Sequence, residues 1–568
     1  MSIASIQDSL RSGEKKIETL IRETYARIAA YDDPAVWISL RSEEEVLKEA
    51  EALDSSLPLY GIPFAVKDNI DVAGIPTTAA CPAFSYTPYE SAFVVDLLCK
   101  AGALLIGKTN MDQFATGLVG TRTPYGACRN VFHPDYISGG SSSGSGIAVA
   151  ANLVTFSLGT DTAGSGRIPA AFNDIVGLKP TRGLLSLRGV VPACASLDCV
   201  SIFAKSVEDA STVFHLLRQP DREDRWSRTM LRLASRGGGL RLGVPEKSEF
   251  FGDTEYERLF QEEVVRRREQ GAEIVPVDLE PFLQAARLLY GGAWVAERDH
   301  AVGAFIRNHS NEVDPTVREI ITGGSTKSAV DAFEGFYELQ RLRSQTSCIW
   351  EGIDALLLPT APTIYRTEEV QASPLELNAR LGTYTNFVNL LDLSALAIPA
   401  GFRQDGLPFG VTLIAPAFED DLLAAIATGK NIARGMISLA VVGAHLSGQP
   451  LNSQLTERGA TLIQSTTTSP RYRLHALPTT PPKPGLLRSE KNGAALELEV
   501  WEMPVENFGS FVNLVPHPLG IGTIELADGT WVKGFICEPE ALSTAPDITP
   551  HGGWRSYLSS KRSPKTSV

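Results

Sequence analysis

The chain has 568 residues, 43% of them apolar, and a net charge of −14 at pH 7. That length allows about two to four domains with sizeable cores, and the acidic balance argues against nucleic acid or an anionic membrane surface as partner. No apolar run reaches the roughly 18 residues of a membrane span. The opening MSIASIQDSLRSGEKK lacks an apolar h-region, so no secretory signal is expected. The seven cysteines are scattered and fit neither a disulfide framework nor a zinc site, so reduced thiols and the cytoplasm are the expectation.

Taken in order, Ile6, Leu10, Ile17, Ile21, Tyr25 and Ile28 recur near helical spacing, which predicts one amphipathic helix over 5–32. A charged helix over 42–53 follows. A short strand over 62–66 ends at Lys67, then a helix spans 93–101 and a buried strand 103–108. This alternation predicts an α/β layer structure. Residues 105–135 are turn-rich, and a long irregular segment inside a compact domain reads as lining a site. Further on, the pattern predicts a short helix over 147–154, strands over 155–158 and 197–204, and a helix over 207–217. Residues 219–239 read as a polar surface connection, 240–244 as a strand and 254–345 as mostly helical. A buried strand over 354–359 and the segments 384–402 and 411–415 close a first domain, expected to span 1–430. After a short junction over 431–440 the composition turns strand-rich: 440–446, 472–477, 496–501 and a hairpin through Asp528-Gly529 predict a second, α+β domain over 438–558. The basic, polar tail 559–568 is expected to be disordered. No internal repeat is visible.

The chemistry concentrates between Ser138 and Pro169, where two serine-bearing glycine turns flank a run of small and apolar residues. The first is Gly139-Gly140-Ser141-Ser142-Ser143-Gly144-Ser145, the second Thr162-Ala163-Gly164-Ser165-Gly166-Arg167. Such turns let backbone amides point inward and let a substrate approach. Alone, the first would read as a flexible linker, and its formal GxSxG around Ser142 lacks the strand that a nucleophile elbow needs. The fixed offset of the second turn changes that reading. A serine hydroxyl needs a base, and neither turn holds a histidine. A lysine serves if desolvation or neighbouring positive charge keeps it neutral, and Lys67 at the end of an apolar strand is placed for this.

The two turns and the upstream Gly61-Ile62-Pro63-Phe64-Ala65-Val66-Lys67 resemble the amidase signature family, serine amidohydrolases with a Ser–Ser–Lys triad. The resemblance implies a mixed central sheet covered by helices. It makes Ser165 the nucleophile and Ser141, after a cis peptide bond at Gly140, the bridge to the base Lys67. Ser142 supports the network, the amides of Thr162, Ala163, Gly164 and Ser165 form an oxyanion hole, and Arg167 holds the loop. The implied reaction is acyl transfer from an amide with loss of ammonia.

Within that family, the loop Phe114-Ala115-Thr116-Gly117-Leu118-Val119-Gly120, the turn DTAGSGRIPA, the stretch from Leu289 to Arg298 and the second domain resemble allophanate hydrolases. There a tyrosine and an arginine eight residues apart recognise the anionic substrate. They map onto Tyr290 and Arg298, which on a single helix share one side with position 294. An arginine fork suits the carboxylate of allophanate. The second domain resembles the γ-glutamyl cyclotransferase group at Val442-Gly443-Ala444-His445-Leu446-Ser447-Gly448. It makes His445 and Asn452 candidates for a second site that assists breakdown of N-carboxycarbamate, with Ser453 a departure from relatives carrying a larger or imidazole side chain. His475 reads as a strand residue and His517 as a loop residue. The resemblance implies no metal or organic cofactor, allophanate supplied by a urea carboxylase, and a homodimer formed through the first domain. Two alternatives stay open: a general small-amide amidase whose second domain is not catalytic, and an amidotransferase subunit delivering ammonia to a partner. A non-catalytic scaffold sits badly with an intact Lys67, Ser141 and Ser165.

Overall fold

The computed structural model describes residues 2–229, 239–429, 436–543 and 545–562. They form two compact units, one made by 2–229 with 239–429, the other by the residues from 436 onward. The later part of the 219–239 connection, the first half of the 431–440 junction and residues 563–568 of the expected tail lie outside the described residues.

The first unit is built on an eleven-stranded mixed sheet: β1 (Trp37–Leu40), β2 (Pro63–Lys67), β3 (Leu104–Thr109), β4 (Phe156–Asp161), β5 (Val176–Lys179), β6 (Cys199–Ala204), β7 (Arg241–Pro245), β8 (Glu273–Val277), β9 (Ala355–Pro359), β10 (Leu393–Phe402) and β11 (Pro408–Pro416), in the order β1-β3-β2-β4-β6-β5-β10-β11-β9-β7-β8. β2 runs parallel to both β3 and β4, so Lys67 and Asp161 leave the sheet at the same carboxyl edge. Crevices beyond such edges are where α/β sheets hold ligands. Every residue of β2, β3, β4, β5, β6 and β9 is buried. Both faces of these strands are therefore covered, which is why they read as apolar or small-residue runs without alternation.

Three expectations shift. The helix over 5–32 is two helices, α1 (Ile3–Arg11) and α2 (Ile17–Ala30), parted at Gly13, whose φ of 76° no ordinary residue adopts cheaply. The helix over 147–154 is α3 (Ser143–Ala150), which starts within the first glycine turn. Its glycines answer packing rather than flexibility: a Cβ on Gly144 would lie 2.6 Å from Asn110 N and closer still to Val36 O. Within 254–345, residues 273–277 form β8, an edge strand parallel to β7.

The second unit has a five-stranded sheet and a two-stranded ribbon. Its strands are β12 (Met436–Val441), β13 (Thr461–Thr467), β14 (Tyr472–Leu477), β15 (Lys483–Arg488), β16 (Glu497–Pro504), β17 (Leu519–Glu525) and β18 (Trp531–Cys537). The larger sheet is ordered β13-β16-β12-β18-β17, and β14 pairs with β15. Leu439, Tyr472, Leu498, Trp501, Phe511 and Trp554 share its core. The first strand ends at Val441, earlier than the pattern over 440–446 suggested, and leaves 442–447 as a turn. Residues 559–562, expected in a disordered tail, belong to a helix that spans Trp554–Arg562.

Candidate active site

Lys67 is fully buried at the end of β2. Its Nζ lies 2.8 Å from Ser141 Oγ and 2.8 Å from Thr160 Oγ1, and Asn69 Nδ2 donates to the same threonine oxygen at 3.3 Å. Burial lowers the lysine to about 7, with Arg298 acting in the same direction and the carboxylates of Asp112, Asp198 and Asp161 against it. A substantial fraction of the amine is therefore neutral near pH 7, and its lone pair can accept the Ser141 O–H. The Gly140–Ser141 peptide is cis. Ser141 O accepts from Asp112 N at 3.1 Å. Ser142 Oγ donates to Thr160 O at 3.1 Å and accepts from Thr160 N at 3.3 Å, tying the serine turn to β4.

The second turn is organised by Asp161. Its buried carboxylate accepts from Gly164 N (2.9 Å), Gly166 N (3.0 Å), and Arg167 Nε and Nη2 (2.9 Å each). Burial opposes its charge, but the Arg167 guanidinium and the amides hold it below the usual carboxylate range. Arg167 also reaches Thr385 O at 3.2 Å, so it holds the loop. Thr162 Oγ1 donates to Asp198, a buried carboxyl that desolvation lifts to about 6. Of the four expected oxyanion amides, that of Gly164 is engaged by Asp161. Those of Thr162, Ala163 and Ser165 have no protein acceptor among the described residues. Ser165 Oγ points at Gly117 O, 3.5 Å away, and makes no hydrogen bond to Ser141 in this arrangement.

Tyr290 and Arg298 do meet, by a different route from the one their spacing suggested. They sit on two helices, α4 (Glu280–Gly291) and α5 (Trp294–Asn308), not on one. Gly292 between them is extended, and a Cβ there would stand 2.5 Å from Leu288 O. The break folds the tyrosine under the arginine, with Arg298 Cζ 5.4 Å from the ring centroid. Arg298 is 1% exposed. Its Nη1 donates to Thr116 Oγ1 at 3.1 Å, while Nε and Nη2 are buried without a partner. No carboxylate pairs with it among the described residues. Nε–H and Nη2–H form one edge of the guanidinium, the fork that takes a carboxylate side-on.

Sequence reasoning missed Thr160, Asp112, Asp161, Asp198 and Thr116. Thr160 and Asp161 lie directly before the second turn, so a search of the strand feeding it would have found them. The other three sit in turns whose path the sequence pattern does not reveal.

Residues 19–424 match the family described as Amidase, and residues 437–559 match the allophanate hydrolase C-terminal domain. The chain belongs to the amidase family. The urea amidolyase of Saccharomyces cerevisiae is 44% identical over 601 residues, covering 98% of this amidase but only 32% of the yeast protein, so the chain spans about a third of that relative's length. The solved structure of Kluyveromyces lactis allophanate hydrolase is 43% identical with a TM-score of 0.76, over 99% of both chains. A glutamyl-tRNA(Gln) amidotransferase subunit from Thermus thermophilus is 33% identical over 449 residues, 73% of this chain and 94% of that one.

In the second unit of the amidase, His445 lines a cavity of about 200 Å³ with Gly443, Gln454, Lys483, Phe511 and Phe535. Its ring stacks on Phe535 at 5.0 Å, and Nε2 contacts Gln454 Oε1 at 3.0 Å. Burial lowers its pKa, and the Lys483 charge adds to that. Asn452 is not in the cavity wall: its Nδ2 donates to His445 O at 2.9 Å and so fixes the turn behind the imidazole. Ser453 opens a one-turn helix, Ser453–Thr456. His475 lies in β14 and contacts Ala545 O, and the exposed His517 contacts Glu538.

Proposed function

We propose that this amidase hydrolyses allophanate, urea-1-carboxylate, by serine acyl transfer. One observation carries the reading: the buried Nε–Nη2 edge of Arg298 has no protein partner among the described residues, and the turn whose Thr116 Oγ1 accepts from Arg298 also sets Gly117 O 3.5 Å from Ser165 Oγ, so the edge is a seat for a carboxylate on a small amide beside the serine. A match to the allophanate hydrolase C-terminal domain supports it. The amidotransferase alternative has less support, because the aligned relative leaves about a quarter of this chain without counterpart. A neutral-amide hydrolase would leave the buried Nε–Nη2 edge of Arg298 without a direct ion-pair partner, since the nearby Asp198 carboxyl makes no hydrogen bond or ion pair with it.

In the reaction, Ser165 turns from Gly117 O toward Ser141. The neutral Lys67 amine accepts the Ser141 proton as Ser141 accepts that of Ser165, and Ser165 Oγ attacks the amide carbon. The amides of Thr162, Ala163 and Ser165 receive the developing oxyanion, each donor worth roughly 2.7–4 kcal/mol in the barrier. The proton returns along the same relay to the leaving nitrogen, ammonia departs, and water releases N-carboxycarbamate from Ser165. That product breaks down to carbon dioxide and a second ammonia, a stage for which the His445 cavity is the candidate in the second unit. A carboxylated urea is made by a urea carboxylase, which is the supplier we assign. The unpaired cysteines support a reducing compartment, the cytoplasm. A homodimer through the first unit is supported by an apolar face on α6 (Ala329–Ser347), where Val330, Phe333, Phe336 and Tyr337 are 57–71% exposed.

The deciding experiment counts ammonia against allophanate consumed. The intact chain is expected to give two per allophanate, and Ser165→Ala none. Allophanate left untouched while uncharged amides are cleaved would overturn the proposal.

A further inference from the structure

The turn over 114–118 is strained and wired on every side. Phe114 and Ala115 hold φ of 50° and 52°, a left-handed conformation that residues with a side chain adopt only where their surroundings enforce it. The enforcement is visible. Arg122 Nη1 donates to Thr116 O at 2.9 Å, Asp112 Oδ2 accepts from Gly120 N at 3.0 Å, and Leu118 N donates to Asn378 Oδ1 at 2.8 Å. This turn delivers two atoms: Thr116 Oγ1 to the guanidinium of Arg298, and Gly117 O to Ser165 Oγ.

Thr116 is fully buried, and its single hydroxyl proton goes to Phe114 O at 3.1 Å. Toward Arg298 its oxygen can therefore only accept. It is the one protein acceptor that the guanidinium has among the described residues, and it takes Nη1, the nitrogen on the edge away from the Nε–Nη2 fork. An arginine on a long side chain has no intrinsic reason to present one edge rather than another; the acceptor supplies it. We propose that Thr116 is the specificity-determining residue of this amidase. By holding Arg298 at Nη1 it aims Nε and Nη2 together at the carboxylate of the amide being cleaved. The inference rests on the allophanate reading for the substrate's class, while the contact that carries it is independent of turnover.

The test measures binding apart from catalysis. Malonamate is a carbon isostere of allophanate, and malonamide is its uncharged counterpart. Each is titrated by calorimetry into Ser165→Ala protein, alone and with Thr116→Val or Thr116→Ser added. The valine keeps the volume and removes the acceptor; the serine keeps the acceptor. The Kd of malonamate is expected to rise about tenfold with valine, the scale of one hydrogen bond to a charged group. It should return toward the parent value with serine, and the Kd of malonamide should rise several-fold less. An unchanged Kd for malonamate overturns the proposal. So does an equal weakening for both ligands, which would mark a structural role. If valine protein does not accumulate, Thr116→Ala reads the same loss of acceptor. Failure of the wild-type chain to consume allophanate defeats the substrate reading and leaves this comparison to decide on Thr116 by itself.

Discussion

At the residue scale the chain sets one lysine against its own chemistry. Lys67 titrates at about 7 because burial removes the water that would solvate its charge. In the proposed reaction this base acts only when deprotonated, so the sign is fixed: kcat/KM for allophanate should climb about tenfold per pH unit below 7 and level off above it. A profile flat between pH 5.5 and 8 would remove Lys67 from that role. The same shift bears on folding. Between about 7 and the ordinary lysine value of 10.5, the unfolded chain holds a proton here that the folded chain does not, so this group makes stability rise with pH across that window. Lys67, Ser141 and Ser165 were readable as candidates because they sit in short motifs at fixed separations, and the structure brings the first two within 2.8 Å. Thr160 and Thr116 were not. The first reaches Lys67 through the parallel register of β2 and β4, the second reaches Arg298 through a strained turn, and neither leaves a period in the sequence.

Among the elements, α3 separates propensity from packing. Glycine in a helix is ordinarily worse than alanine by roughly 1 kcal/mol, so Gly144→Ala would stabilise an exposed helix. Here the added methyl would overlap backbone atoms of Val36 and Asn110, which have nowhere to go. Overpacking of that kind costs about 1–3 kcal/mol, enough to reverse the sign. The variant should unfold at lower urea than wild type, and a raised midpoint would show that the neighbours yield. The α4–α5 break makes a related point. The family resemblance picked out Tyr290 and Arg298, and helical spacing would have set them on one side of a single helix; the contact exists, but two glycines and a change of direction make it. The buried strands were located by length and flanking turns. The edge strand β8 was absorbed into a helical reading because five residues do not establish a period.

For the whole molecule, the α6 face is the largest cluster of exposed aromatic residues on one described helix. Phe333→Glu should shift sedimentation from dimer toward monomer at micromolar concentration while the fold is kept. A wild-type chain that sediments as a monomer would remove the dimer. The fold class and the two-part organisation were readable from alternation followed by a composition shift, whereas the place of His445 on a cavity wall and Asn452 behind it required the course of the 442–447 turn. Total charge, finally, acts on the buried fork from a distance. Arg298 is buried inside a chain of net charge −14, so an anion approaching from afar meets repulsion before it meets the guanidinium. Mobile ions erase that long-range field beyond about 8 Å at physiological ionic strength, yet they scarcely weaken a contact from which water is excluded. Capture of the proposed anionic substrate is therefore expected to be slower in dilute buffer and faster in moderate salt, the reverse of what a surface arginine would produce, and KM measured against salt concentration checks it.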